Sequence, residues 1–227
     1  GISCPSDNDS KDISRLDEEK KFAAAYMKTA LKTYGDFLVV QSAGNDGIDA
    51  KWNGFFSAID DPDLRQYIII VGSIDQPSGC PASCSYVFSD SILKVKSNRG
   101  SRVDIVAPGV NIYSTIYDSP YYKNNSGTSM AAPHVTGVAG LVWAANPNLT
   151  ATQVKQTIVG TSDRPIVGPD GLSYKILNAE KAVAAATSGQ LIYSVTSNPS
   201  TGNDWANDIA IDSTYMYVVG WDEYSPG

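Results

Sequence analysis

One stretch of this chain constrains the fold more than any other. It is Ser126-Gly127-Thr128-Ser129 followed by residues 130–145, which are apolar almost all round and rich in Ala and Gly. A helix apolar on every face belongs inside a core rather than on its surface. The segment is therefore expected to form a central helix packed on all sides. Pro133 is expected near its first turn, where a missing N–H costs least. Ser129 then stands at the N-terminus of a buried helix. There, unpaired N–H groups and the positive end of the helix dipole favour developing negative charge. A hydroxyl at that point suits attack on an acyl carbon, because the tetrahedral intermediate carries an oxyanion.

The rest of the chain supplies a setting for such a helix. From Ser14, the residues Leu16, Ala23, Met27, Ala30, Leu31 and Tyr34 recur at helical spacing. Acidic Asp17, Glu18 and Glu19 fall in the first turn, and Gly35 sits at the position of a C-terminal cap. Phe37-Leu38-Val39-Val40, Tyr67-Ile68-Ile69-Ile70-Val71 and Val103-Asp104-Ile105-Val106 read as strands. Continuous rather than alternating apolar runs suit a parallel sheet covered on both faces. Thr150 and Gln153 form a capping box for a helix through Val159, and residues 178–187 read as a closing helix. Alternating helices and buried strands predict an α/β fold with a mostly parallel sheet flanked by helices.

From Ser188 the pattern becomes β-rich. Segments 191–195, 208–212 and 215–221 resemble part of one β-propeller-like repeat. The expected organisation is one unit over 1–187 and the start of a second, β-rich module over 188–227.

At 227 residues, with 42% apolar and 18% charged content, the chain suits a folded domain with a sizeable core. A net charge of −7 argues against nucleic acid or an anionic membrane as the main partner. No apolar run approaches the roughly 20 residues that span a bilayer. Cys4, Cys80 and Cys84 allow either a small Cys80–Cys84 disulfide or three free thiols, and their spacing does not match a zinc site. The chain opens at Gly1 without Met, which leads to the expectation of a fragment or processed product.

The run Gly127-Thr128-Ser129-Met130-Ala131-Ala132-Pro133-His134-Val135-Thr136-Gly137 resembles the nucleophile motif of the subtilisin-like serine proteases. Ser42-Ala43-Gly44-Asn45 resembles the oxyanion-hole segment of that family. Val103-Asp104-Ile105-Val106-Ala107-Pro108-Gly109 resembles its strand and turn before the serine, and Ser97-Asn98-Arg99-Gly100 the turn upstream of that strand. The resemblance extends over about residues 1–187 and corresponds to the C-terminal two-thirds of a catalytic domain. It implies a secreted or cell-surface endopeptidase acting on a peptide or protein substrate. Ser129 would attack the scissile carbonyl, and the Asn45 amide would hold the oxyanion together with the Ser129 N–H. Ser42, Ala43, Gly44 and Thr128 would contact the substrate. The chemistry would need no cofactor, while Asp75 falls where some relatives hold a structural calcium.

His134 is the sole histidine. On a helix it lies five residues past Ser129, rotated by about 140° and displaced by about 7.5 Å. It is expected to be a packed helix histidine and not the general base. The family's triad runs Asp, His, Ser along the chain, yet this sequence has no His-Gly-Thr-His-like motif and no Asp-Ser-Gly or Asp-Thr-Gly turn upstream of Ser129. The two missing members are expected in an N-terminal part of the domain, which becomes a partner of this chain. Without a base the chain alone is expected to be inactive or nearly so. A non-catalytic scaffold of the same family, binding peptides or partners, is the alternative. An α/β-hydrolase esterase is set aside: Gly127-x-Ser129-x-Ala131 resembles a nucleophile elbow, but that class needs an acid and a histidine downstream, and only His134 follows.

Overall fold

The computed structural model describes residues 10–75, 87–90, 96–117, 121–188, 202–203, 208–212 and 216–219. Cys4, Cys80 and Cys84 lie outside the described residues. The first described element is helix α1 (Ser10–Tyr34), which starts earlier than the expected Ser14. Leu16, Ala23, Met27 and Ala30 are buried along one stripe, whereas Tyr34, expected on that stripe, is exposed. Gly35, at φ 84°, ends the helix by donating its N–H to the Leu31 carbonyl at 3.1 Å.

Strands β1 (Phe37–Ser42) and β2 (Trp52–Asn53) follow, then a short 3-10 turn and α2 (Pro62–Arg65). Next come β3 (Ile68–Asp75), β4 (Val87–Phe88) and β5 (Ile105–Pro108). A hairpin of β6 (Ile112–Thr115) and β7 (Tyr122–Asn125) leads directly into α3 (Thr128–Ala145). After α4 (Ala151–Thr161), a second hairpin, β8 (Asp163–Val167) and β9 (Ser173–Ile176), precedes α5 (Ala179–Ser188). Beyond residue 188, where a second module was expected to begin, the described strands are β10 (Gly202–Asn203), β11 (Asp208–Asp212) and β12 (Met216–Val219).

The main sheet runs β12-β11-β1-β3-β5-β9-β8, with β4 on β3. Strands β1, β3, β5 and β9 are parallel, and the outer pairings are antiparallel. Helix α2 lies between β1 and β3 in sequence, and α3 and α4 lie between β5 and β9, as crossover connections require. β11 lies antiparallel against β1, and β10 lies parallel to β2.

Strand alternation sorts the core into two layers. Leu38 and Val40, Ile69 and Val71, Ile105 and Ala107 face one way and pack with α3, α4 and α5. Val39, Ile68, Ile70 and Val106 face the other way and pack with Ala23 and Met27 of α1. The expected α/β architecture, a mostly parallel sheet covered on both faces, is present.

Two expectations for α3 need correction. Ala131, Ala132, Val135, Val138, Ala139 and Val142 are buried, but Pro133, His134, Gly137, Leu141 and Ala144 form an exposed stripe. The helix packs on one side of a sheet, so an all-round apolar composition leaves an apolar face open. Pro133 is the sixth helical residue and not part of the first turn. Its missing N–H deprives the Ser129 carbonyl of its partner four residues on.

At the amino ends of the parallel strands lies a largely buried ion cluster. Asp104 accepts from Lys155 Nζ at 3.0 Å, Arg65 at 3.4 Å and the Ile70 N–H at 2.8 Å. Lys155 also donates to the carbonyls of Arg65, at 3.1 Å, and Ile68. Among the described residues, no helix is long and apolar enough to cross a membrane.

Candidate active site

The carboxyl ends of β1, β3 and β5 meet on one edge of the sheet, which is where open α/β sheets build their sites. From β1 the chain enters Ala43-Gly44-Asn45. From β5 it turns at Pro108-Gly109, crosses the β6–β7 hairpin and arrives at Gly127. The two ends of this second segment meet because Gly127 donates its N–H to the Gly109 carbonyl at 2.8 Å. A side chain at Gly109 would stand 2.6 Å from the Gly127 carbonyl oxygen and 3.1 Å from Ser73 Cβ. Only glycine permits that approach. Ser126 fixes the hairpin base by accepting the Asn111 N–H at 2.9 Å.

Thr128 joins the β1 loop to the helix. Its N–H donates to Asn45 Oδ1 at 2.9 Å and its hydroxyl to the same oxygen at 3.1 Å. The Thr128 oxygen in turn accepts the Gly44 N–H at 3.0 Å. Two donors on Asn45 Oδ1 fix which end of the amide is oxygen and which is NH₂. Nδ2 is thereby presented as a donor, about 3.7 Å from where a Gly127 side chain would begin.

Ser129 is the second residue of α3 and half-buried. Its N–H belongs to the first turn, which has no carbonyl four residues back within the helix. The Asn45 amide and the Ser129 N–H therefore belong to one rim, bridged by Thr128. Partial desolvation raises the carboxyl of neighbouring Asp46 above its ordinary value.

Other candidate residues fall as follows. Ser42 and Ala43 are fully buried, and Ala43 packs in the α1-side core. The Ser42 carbonyl accepts from Asn53 Nδ2 at 2.9 Å, and the Ala43 N–H donates to Val71. The side chains of Ser42 and Ala43 are therefore enclosed by the fold. His134 is exposed, not packed as expected. Its Nδ1 lies 2.9 Å from the Met130 carbonyl, one turn back along the helix. Asp75 closes β3 opposite Val87. Among the described residues no group of three or more His, Cys, Asp or Glu side chains comes together.

Residues 2–209 match the Subtilase family. The chain belongs to the subtilase family. Subtilisin DY of Bacillus licheniformis is 36% identical to this subtilase over 140 residues, 59% of this chain and 44% of that protein. M-protease of Shouchella clausii (strain KSM-K16) is 34% identical over 149 residues, 64% of this chain and 32% of that protein. The chain thus spans less than half the length of these curated relatives.

Among solved structures, the A-subunit of the AB5 toxin from E. coli superimposes with a TM-score of 0.56 at 25% identity. That match covers 74% of this chain and 55% of the toxin subunit. A chain from the structure of the subtilase cytotoxin SubAB assembly gives 0.54 at 28% identity, covering 66% and 48%. The β6–β7 hairpin, which delivers the chain to Ser129, was not anticipated. Ile112 is the one aliphatic residue of its two strands, Ile-Tyr-Ser-Thr and Tyr-Lys-Asn-Asn, so no apolar alternation marks them as a pair.

Proposed function

We propose that this subtilase chain carries the nucleophile and oxyanion hole of a serine endopeptidase that hydrolyses peptide bonds through an acyl-enzyme. The observation that carries this reading is the double hydrogen bond from Thr128 to Asn45 Oδ1, which aims the Asn45 amide from the rim that bears Ser129. Ser129 Oγ would form the new bond to the scissile carbonyl carbon as its proton passes to the general base, which later returns it to the departing amine. The carbonyl oxygen, now negative, would be held by Asn45 Nδ2 and the Ser129 N–H. Collapse of the intermediate would expel the amine, which takes up a proton, and water would then release the acyl group. Removing one oxyanion donor costs about 10²–10³ in turnover, so Asn45→Ala is expected to slow acylation by that factor. The backbone of Ser42, Ala43 and Gly44, with Thr128, would border the pocket for the residue before the cut.

The base and its orienting carboxylate would come from an N-terminal part of the catalytic domain outside these residues. Supporting this, His134 is the sole histidine and points to the Met130 carbonyl, and α3 has an apolar face that nothing among the described residues covers. A secreted or cell-surface setting goes with this reading.

Fluorophosphonate labelling tests it, with the chain alone and with the polypeptide encoded before Gly1 supplied in trans. Labelling of Ser129 is expected only in the reconstituted pair, and Ser129→Ala should abolish it. Strong labelling by the chain alone would overturn the absent-base reading. No labelling in either preparation would favour the non-catalytic scaffold.

A further inference from the structure

Asn98 lies outside the residues assigned a role above, yet its hydrogen bonds converge on the loop that carries Asn45. It is fully buried in the Ser97-Asn98-Arg99-Gly100 turn. Its Oδ1 accepts the Asp46 N–H at 3.0 Å and the Ile48 N–H at 3.1 Å. Its own N–H donates to the Gly44 carbonyl at 2.8 Å. One residue therefore grips the chain immediately before Asn45 and immediately after it.

We infer that Asn98 is a positioning residue for the oxyanion hole, acting through Asn45 rather than on substrate. This inference rests on the functional reading just given. The loop needs such a clamp because Gly44 and Gly47, at φ 100° and 70°, flank Asn45. Glycines on both sides give the segment backbone freedom that would otherwise let the Asn45 amide swing. Preorganised donors stabilise an oxyanion because they need no reorganisation when charge develops.

The backbone around Asn98 forms a platform that locates the clamp. Gly47 N–H donates to Lys96 at 2.8 Å, Arg99 N–H to Ile48 at 2.9 Å and Ala50 N–H to Arg99 at 2.6 Å. Ser97 Oγ ties this platform to the sheet by accepting the Ser73 N–H at 2.9 Å and donating to the Asn98 carbonyl at 3.0 Å. The Asn98 side chain alone reaches the N–H next to Asn45. Its Nδ2 is buried without a partner among the described residues. A side chain kept only to fill space would not strand a buried donor, so the value of Asn98 lies in its acceptor oxygen.

Two measurements test the clamp. Amide hydrogen exchange on the chain itself should show Asp46 and Ile48 exchanging at least about tenfold faster in Asn98→Ala, with β1 and β3 unchanged. Asn98→Asp keeps the acceptor and should restore protection. The second measurement is the rate of Ser129 phosphonylation in the reconstituted pair. Asn98→Ala should slow it by about 10- to 100-fold in the natural background. In an Asn45→Ala background the same change should have no further effect, since a positioning residue has nothing left to position. Unchanged exchange, or losses that multiply in the double variant, would overturn the inference. If Ser129 is never labelled, the protease reading fails, and the exchange result still decides whether Asn98 holds the loop.

Discussion

Thr128 makes two hydrogen bonds through a hydroxyl that valine, of nearly the same shape, lacks. Thr128→Val would keep the N–H bond to Asn45 Oδ1 but lose the hydroxyl bond and leave the Gly44 N–H without its acceptor. The expected result is about 1–2 kcal/mol of lost stability in urea denaturation. Slower phosphonylation of Ser129 should accompany it, by about tenfold, because the Asn45 amide regains rotation. Equal labelling in the two proteins would show that the N–H bond suffices. Ser129 and Asn45 were legible as candidates because each sits in a contiguous run of turn, strand end or helix start. The bonds that organise them were not. Thr128 reaches Gly44 across 84 positions and Asn98 reaches Ile48 across 50, and no local pattern records such pairings. His134 shows the same division. Helix geometry predicts its angular separation from Ser129, but its exposure depends on what covers α3.

At the scale of elements, what the sequence revealed was whatever is settled within a few residues. The capping box of α4 is such a case. Thr150 Oγ1 accepts the Gln153 N–H at 3.3 Å, and Gln153 Oε1 accepts the Thr150 N–H at 2.8 Å. Thr150→Ala is expected to cost about 1 kcal/mol. That should lower the melting temperature by about 2–4 °C for a chain of this size. Thr150→Ser should be near neutral, and equal melting of all three proteins would remove the cap from the account of α4. The three central strands were also legible, because each carries apolar residues for both faces, although β5 runs Ile105–Pro108 and not Val103–Val106 as expected. The β6–β7 hairpin was not, since both its strands are largely exposed and Tyr113 stacks on Tyr122 at 5.8 Å, a contact between residues far apart along the loop. The open face of α3 was hidden for the opposite reason. Apolar composition implies burial, but the face away from the sheet is exposed among the described residues.

Across the whole molecule, the parallel sheet separates two polar regions: the candidate site at the carboxyl ends of its strands and the Asp104 cluster at their amino ends. The sequence placed Asp104 inside an apolar strand without revealing why, because Arg65 and Lys155 arrive from α2 and α4. Burial pushes the Asp104 carboxyl up, but Lys155, Arg65 and the Ile70 N–H together outweigh it and hold the carboxyl below its ordinary value. A carboxyl whose folded pKa lies below its unfolded one binds fewer protons in the native state. Its contribution to stability is present above the unfolded value, near pH 4, and is lost as pH falls through the folded value. The chain should therefore lose stability progressively below about pH 4. Asn at position 104 cannot titrate and leaves Lys155 buried without its counter-ion. Asp104→Asn should accordingly be less stable at pH 7, by about 3–5 kcal/mol as for other broken buried pairs. It should also show a shallower decline in acid. Urea midpoints measured from pH 7 to pH 3 for both proteins check the two halves together. Parallel curves would mean that Asp104 contributes nothing to the acid limb, and that other carboxylates carry it.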